Sequence, residues 1–387
     1  MMGGMTAIID GSALMGAGPA GIRLGGVGLP LLDRARIYCC GITPYDVTHL
    51  GHAATFVWTD VLTRVLGSAG VTASLCRNVT DVDDVLFAAA RRSGSEYDEF
   101  ASVQQFRFET DMTALGVRPP EYAPRARRFV AQVIRLARGL LEADAAYERD
   151  GSVYFRGEAA VAGSGFERED ALALAAEYGA RLDDPAKDDE FDVAVWRRSA
   201  PGEPGWQSPW GTGRPGWHAE CAAMSISLLG PAVDVQCGGA DLRFPHHAYQ
   251  AAMGEAMTGV RPYARATFEV GLVRRDGAKM AKSTGNLVLV SEVLAEHPAA
   301  ALRLCLIDRP WARDWDYEPA ELTAATWRLE SLYQAAGRPG TSGQLAAQEA
   351  IGAALREDLR VPEALAIAEE AGGAAARGLI ALLGLAE

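Results

Sequence analysis

The chain has 387 residues, 49% of them hydrophobic and 22% charged, with a formal net charge of -13. That length exceeds one compact core and predicts two or three packed units of an ordinary globular protein. No run of 18 apolar residues is present, which argues against a membrane-spanning helix. An acidic balance argues against a nucleic-acid partner, because phosphate contacts call for a basic face. The first basic residue is Arg23, the wrong order for a secretory signal, and the six cysteines are scattered through a long chain. Both features point to a reducing, cytoplasmic setting.

Residues 1–35 read as an irregular lead-in segment. RIYCC (36–40) predicts a buried strand, and the turn-rich GITPYDVTHLGH (41–52) leads into a helix at about 51–66. That helix has Ala53, Ala54, Val57, Val61 and Leu62 on its inner face. TASLCRNVT (72–80) predicts a second strand, which completes a βαβ unit of a parallel sheet. Helical stretches follow at 98–116 and 122–145, then a short strand at 153–155, a helix at 169–179, and an acidic run at 183–190. This part reads as an insertion, closed by the Pro/Gly/Trp stretch 201–217 as an ordered loop. A helix at 218–229, a strand at 233–237 and a helix from about His246 resume the sheet, and the tail from 317 is helical. The boundaries expected are 36–114 and 206–265 for the two sheet halves, 115–205 for the insertion, 266–310 for a loop region, and 311–387 for a helical bundle.

Three groups of residues suggest chemistry. His49-Leu50-Gly51-His52 sits between a strand and a helix start, where free N–H groups and the dipole attract phosphate. Gly51 would allow close backbone approach. Read alone, the pair is equally an ordinary couple of surface histidines. Lys279-Met280-Ala281-Lys282-Ser283 follows the Asp276-Gly277 turn. Its two lysines can close over a triphosphate and stabilise a departing pyrophosphate, or form a plain solvated basic loop. Cys40, Cys221 and a histidine at 246 or 247 offer two thiolates and an imidazole, a set that suits zinc. The alternative is buried free thiols with a capping histidine.

Taken in order, YCCGITPYDVTHLGHAATF (38–56), RNVTDVDD (77–84), GWHAECA (216–222), GGADLRFPHH (238–247) and DGAKMAKSTGNL (276–287) resemble the cysteinyl-tRNA synthetases. The chain is still more similar to their shorter relatives, the mycothiol-pathway cysteine ligases, over about residues 36–300. The resemblance implies a class I synthetase-type Rossmann fold: a doubly wound parallel α/β sheet with an α-rich insertion and a C-terminal helical bundle. It also implies formation of a cysteinyl-adenylate from L-cysteine and ATP with magnesium, then transfer to the amine of glucosaminyl-inositol.

By position, the resemblance puts zinc on Cys40, Cys221 and His246. Catalysis falls on His49, His52, Lys279 and Lys282. The adenylate falls on Gly41, Ile42, Thr43, Thr55, Asn78, Val79, Thr80, Trp217, Gly239, Ala240, Asp241 and Val273. The synthetases place a glutamate one helical turn after the zinc histidine, where this chain has Gln250. A neutral amide is a poor zinc ligand, so a position is left for a substrate thiolate. Asp241 reads as the ribose acceptor or as a helix cap. Asp81, Asp83 and Asp84 read as capping or solvated charges, and Cys39 as a core thiol on the opposite strand face from Cys40.

Two departures from the pattern stand out. Ala281 replaces the usual serine of the lysine loop. Glu177-Tyr178-Gly179-Ala180-Arg181-Leu182 replaces a segment of different composition in the ligases. The second leaves open a different amine acceptor. A tRNA acceptor is disfavoured by seven acidic against three basic residues from 341 to 387. The chain is expected to act as a monomer on small molecules, without tRNA or membrane.

Overall fold

The structure, a computed structural model, describes residues 21–45, 47–280, 284–339 and 343–386. A four-stranded parallel sheet runs in the spatial order Ala264–Val270, Val233–Gly239, Arg34–Ile42, Thr72–Val79. Ile37–Cys40 is apolar at every position because the strand is paired on both edges and covered on both faces. The helix Leu50–Ser68 packs on one face and Trp217–Leu229 on the other. Alternation along the strand therefore puts Cys39 in the core under the first helix and Cys40 in the core under the second. From Arg34–Ile42 the chain proceeds outward to Thr72–Val79; from Val233–Gly239 it proceeds outward the other way, to Ala264–Val270. The gap between the two inner strands is a topological switch point, where the carboxyl ends of the strands leave a crevice.

The stretch between the second and third sheet strands carries helices Val130–Glu142, Glu158–Ser164 and Arg168–Glu177. It also carries a five-stranded antiparallel sheet, ordered Ala146–Arg149, Ser152–Phe155, Val193–Arg198, Gly211–Pro215, Trp206–Ser208. Only the second of these strands was expected, and the Pro/Gly/Trp stretch forms two of them rather than a loop. Strands of three to six residues are too short for alternation to register against helical patterns.

The described part of the lead-in is likewise not irregular. Gly21–Leu24 and Val27–Pro30 form an antiparallel hairpin around Gly25 and Gly26. Both glycines have positive φ (54° and 81°), as a two-residue hairpin turn of matching twist requires. The hairpin docks on the C-terminal helices through Gly25 N–H to Asp358 Oδ1 (2.7 Å).

Four helices, Pro319–Gly337, Gln344–Arg356, Val361–Ala371 and Gly373–Leu383, form the C-terminal bundle. They share one apolar core with the catalytic sheet rather than forming a separate one. The joint is polar at its centre. Arg303 (1% exposed) pairs with Asp60 (2% exposed), and donates to the carbonyls of Leu383 (2.6 Å) and Leu115 (3.0 Å). Asp60 also receives Arg64 (2.6 Å) and Arg118 (3.0 Å), and these arginines hold its carboxyl below the usual range against the opposing pull of burial. Removing one partner of a buried pair strands the other. Arg303→Met should cost about 3 kcal/mol, the low end of the range because Asp60 keeps two arginines, and Asp60→Asn at least as much. Urea unfolding midpoints measure this; losses below about 1 kcal/mol for both variants would mean the joint is not held by charge.

Candidate active site and metal centre

The two inner strands deliver the first residues of the site: Cys40 and Gly41 from one, Gly238 and Gly239 from the other. A Cβ on Gly41 would lie 1.7 Å from the carbonyl oxygen of Asn78, so no side chain fits there. Gly41 N–H donates to Asn78 Oδ1 (2.9 Å), and Asn78 Nδ2 donates to Thr80 Oγ1 (3.0 Å). These three expected adenylate residues thus form one locked unit, with Asn78 and Thr80 buried. Ile42 and Val79 are apolar, buried and paired in register beside it. Thr43 begins the outgoing turn, its carbonyl accepting from Tyr45 N–H (2.8 Å).

His49 caps the helix Leu50–Ser68: its Nδ1 accepts from Gly51 N–H at 3.1 Å. The His49 and His52 rings lie 4.0 Å apart at that helix N-terminus. Burial, and secondarily the charge of Lys279, lowers the pKa of His52 to about 4, so it is a neutral imidazole at pH 7. Thr55, one turn on, bonds the Gly51 carbonyl (3.3 Å) and faces Gly239.

Ala240 and Asp241 open a short helical turn directly after Gly239. Lys279 Nζ lies 2.7 Å from Asp241 Oδ2 and 3.5 Å from Tyr178 Oη, and 5.1 Å from the centre of the Tyr178 ring. Burial pulls the Lys279 ammonium down, but Asp241 and Tyr178 outweigh it and leave its pKa above the usual value. Val273 is buried in the strand that leads to this loop. Lys282, with Ala281, lies outside the described residues.

On the opposite face of the sheet, the donor atoms of Cys40, Cys221 and His246 lie within 4.8 Å of one another, and all three residues are buried. Burial first, then contact with Cys221, pushes the Cys40 thiol well up. Burial likewise pushes the His246 imidazole well down, helped by His218 and His247. Two soft sulfurs and one imidazole converging without a carboxylate fit zinc, and a cation there would reverse the cost of ionising the thiols. The Trp217 ring stacks on that of His246 (centroids 4.1 Å, 20°), so Trp217 walls the Cys/His set.

The Cys40 thiol donates to Gln250 Oε1 (3.5 Å), which also receives Gln236 Nε2 (3.1 Å). Gln250 Nε2 donates to Tyr263 Oη (2.8 Å), and that hydroxyl donates to Ser225 Oγ (2.6 Å). This chain of bonds fixes the amide with its oxygen toward the thiols.

Several residues here were not singled out from the sequence. His218 Nδ1 meets His246 Nδ1 at 2.9 Å, a contact that sets the orientation of the His246 ring. Gln236 and Tyr263 sit in strand and loop positions that read as core. Tyr178 comes from the insertion, 101 residues before Lys279, and only its membership of a divergent segment marked it. Glu220 precedes Cys221 within the helix and is fully buried, and among the described residues neither carboxyl oxygen has a hydrogen-bond partner. Burial, then Cys221, Asp83 and Asp81, raises its pKa well above the ordinary value. Asp83 is a helix cap, as expected, accepting from Val85 N–H (2.7 Å).

A family profile described as "tRNA synthetases class I (C) catalytic domain" matches residues 31–327. Among curated proteins, the L-cysteine:1D-myo-inositol 2-amino-2-deoxy-alpha-D-glucopyranoside ligase of Mycolicibacterium vanbaalenii is 42% identical over 340 residues, 86% of this chain and 79% of that one. The ligase of the same name from Acidothermus cellulolyticus is 43% identical over 340 residues, 87% of this chain and 84% of that one. The one from Thermobispora bispora is 40% identical over 366 residues, 91% of each chain. Among solved structures, Mycobacterium tuberculosis methionyl-tRNA synthetase in complex with methionyl-adenylate superposes with a TM-score of 0.63 at 17% identity, over 92% of this chain and 82% of that one, a likeness of fold.

Glu220 gives the site a pH signature. Its folded pKa lies above the ordinary 4.5, so the folded state keeps a proton that the unfolded chain releases. Its contribution is full below about pH 4.5 and is lost as pH rises. Relative to wild type, Glu220→Gln should therefore gain stability as the pH rises above about 4.5, by at most about 1.4 kcal/mol per pH unit. Urea unfolding at each pH measures it, and a difference that stays flat would show that Glu220 is already ionised.

Proposed function

Because the chain belongs to the class I (C) tRNA synthetase catalytic-domain family and, within it, with the cysteine:amino-deoxyglucopyranosyl-inositol ligases, we propose that it activates L-cysteine with ATP and joins it to the amine of glucosaminyl-inositol, a step of mycothiol biosynthesis. The observation that carries the reading is the buried Cys40–Cys221–His246 set beside the strand-end crevice. A zinc ion held by these three residues would acidify a substrate thiol and favour sulfur over the hydroxyl of serine. Gln250, neutral and already engaged by Gln236, leaves a coordination position to the substrate.

The cysteine carboxylate attacks the α-phosphate of ATP and pyrophosphate leaves. Gly41, Ile42 and Thr43 with Thr55, Asn78–Thr80 and Val273 frame the adenylate, and the locked Gly41–Asn78 contact keeps that frame rigid. The N–H groups of the helix Leu50–Ser68, with His49 and neutral His52, donate to phosphate oxygens. Lys279 and Lys282 meet the negative charge of the departing pyrophosphate, with magnesium accompanying ATP. Lys279 is bound to Asp241, so nucleotide entry would exchange partners: Lys279 would turn to phosphate and Asp241 to the ribose hydroxyls. The amine then attacks the acyl carbon, AMP leaves, the amide forms and the amine's proton is released. An amine that arrives unprotonated needs no enzymic base. The chain is taken to work as a monomer, and the six free thiols suit the cytoplasm.

A second reading keeps cysteine activation and changes the amine; Tyr178, at Lys279 and in the divergent segment, favours it. Incubation with ATP, magnesium, cysteine and either glucosaminyl-inositol or tRNA should yield AMP and the cysteinyl amide of the sugar, detected by mass spectrometry. Cysteinyl-tRNA instead would overturn the acceptor, and cysteine-dependent pyrophosphate exchange with neither acceptor consumed would support the second reading. Metal analysis should find one zinc per chain, and Cys221→Ser should lower that stoichiometry and with it cysteine-dependent exchange, by about 100-fold or more. Unchanged zinc content would remove Cys221 from the ligand set.

A further inference from the structure

A cleft of about 480 Å³ opens away from the catalytic crevice, between the edge strand Thr72–Val79, the helix Leu50–Ser68 and residues 117–121. Its volume is that of a small-molecule site. Arg77 projects into it from the strand, on the same side as its register partner Cys39, whereas Asn78 next to it faces the locked Gly41 unit. The Arg77 guanidinium carbon lies 5.2 Å from the Phe56 ring centre and 5.1 Å from that of Phe108, and these two rings meet edge to face at 5.1 Å. The aromatic clamp holds the cation in place without giving it an acceptor. Among the described residues no carboxylate or carbonyl lies within hydrogen-bond or ion-pair distance of its five N–H donors; Glu109 and Asp60 act on it only from farther off.

The other charges of the cleft are already engaged. Arg118 bonds Asp60 (3.0 Å) and Thr63 Oγ1 (2.9 Å), and Asp60 is shared with Arg64 and Arg303. Glu121 also lines the cleft. A dianion there would meet two carboxylates for one unengaged cation, whereas a single carboxylate fits the planar fork of the guanidinium. Leu75, Val117 and the Phe56 ring supply an apolar wall beside it.

We propose that this cleft is a second ligand site, which binds a small organic monoanion, a carboxylate with an apolar body, through bidentate hydrogen bonds to Arg77. The proposal does not depend on the acceptor or on the metal, because the cleft shares no residue with either.

Calorimetric titration of the intact protein with benzoate tests it, with inorganic phosphate and benzylamine as the dianionic and cationic comparisons and cysteine-dependent ATP–pyrophosphate exchange as the control for the catalytic crevice. Benzoate should saturate at one equivalent and more tightly than phosphate, with no binding of benzylamine. Arg77→Met should weaken benzoate at least about tenfold, and Arg77→Lys, which keeps the charge and loses the fork, by about three- to tenfold. Exchange activity should stay within about threefold in both. If Arg77→Met does not fold, the lysine variant alone decides. Absence of saturable benzoate binding to wild type, equal affinity in the Arg77 variants, or tighter binding of phosphate would each overturn the proposal. Absence of exchange activity in the wild-type protein, with one equivalent of benzoate bound and that binding weakened in the Arg77 variants, would count against the catalytic reading and support this one.

Discussion

The strand Arg34–Ile42 ends in a contact that leaves no room for a side chain: Gly41 presses on the backbone of Asn78. Much of the site follows from that closeness. It joins the carboxyl ends of the inner strand Arg34–Ile42 and the edge strand Thr72–Val79, and it releases the chain at Thr43 toward the HLGH helix. It also fixes Cys40 one residue back with its thiol on the other face. A larger residue at 41 would part the strands and move both the nucleotide frame and the metal set. The Rossmann crevice is thus a consequence of backbone packing first and of catalytic side chains second.

Buried charge is handled in two contrasting ways. Around Asp60 every group is answered, by three arginines on the carboxylate and by carbonyls on Arg303, and the result is a rigid joint between the catalytic sheet and the C-terminal bundle. Such a network is held by its completeness. Around Cys40 the groups are left open: the Cys40 thiol is pushed up, His246 is pushed down, and among the described residues Glu220 has no hydrogen-bond partner. A closed network suits a hinge-free scaffold. An open one, with soft donors converging, suits a cation and a substrate that complete it.

The surroundings of Lys279 are built by elements from distant parts of the chain. Tyr178 from the insertion, Asp241 after the third strand and Lys279 from the late loop meet within one hydrogen-bonded set. The insertion therefore does more than connect the two halves of the sheet. Through Tyr178 it touches Lys279, so changes within residues 177–182 can reach the loop that carries this lysine.

The parallel sheet, its helices and the two signature loops were legible in the sequence because each depends on local pattern: a fully apolar strand, a glycine turn, a capped helix. The thiols and the histidine were legible as types that zinc accepts, and the resemblance assigned them. Four of the five short strands of the insertion and the hairpin at Gly25–Gly26 were not legible; the strands are too brief to show a period, those beside the Gly-Gly turn included. No local pattern could show that Arg303 would neutralise Asp60 from 243 residues away, that Gln236 and Tyr263 would orient Gln250, that Tyr178 would reach Lys279, or that Arg77 would stand in a cleft without an acceptor. By itself the sequence determined which elements form and which donor chemistries are available. Only the tertiary structure decided which buried charges are answered and which are left for a ligand, because desolvation and pairing depend on what packs around a group in space rather than on its neighbours along the chain.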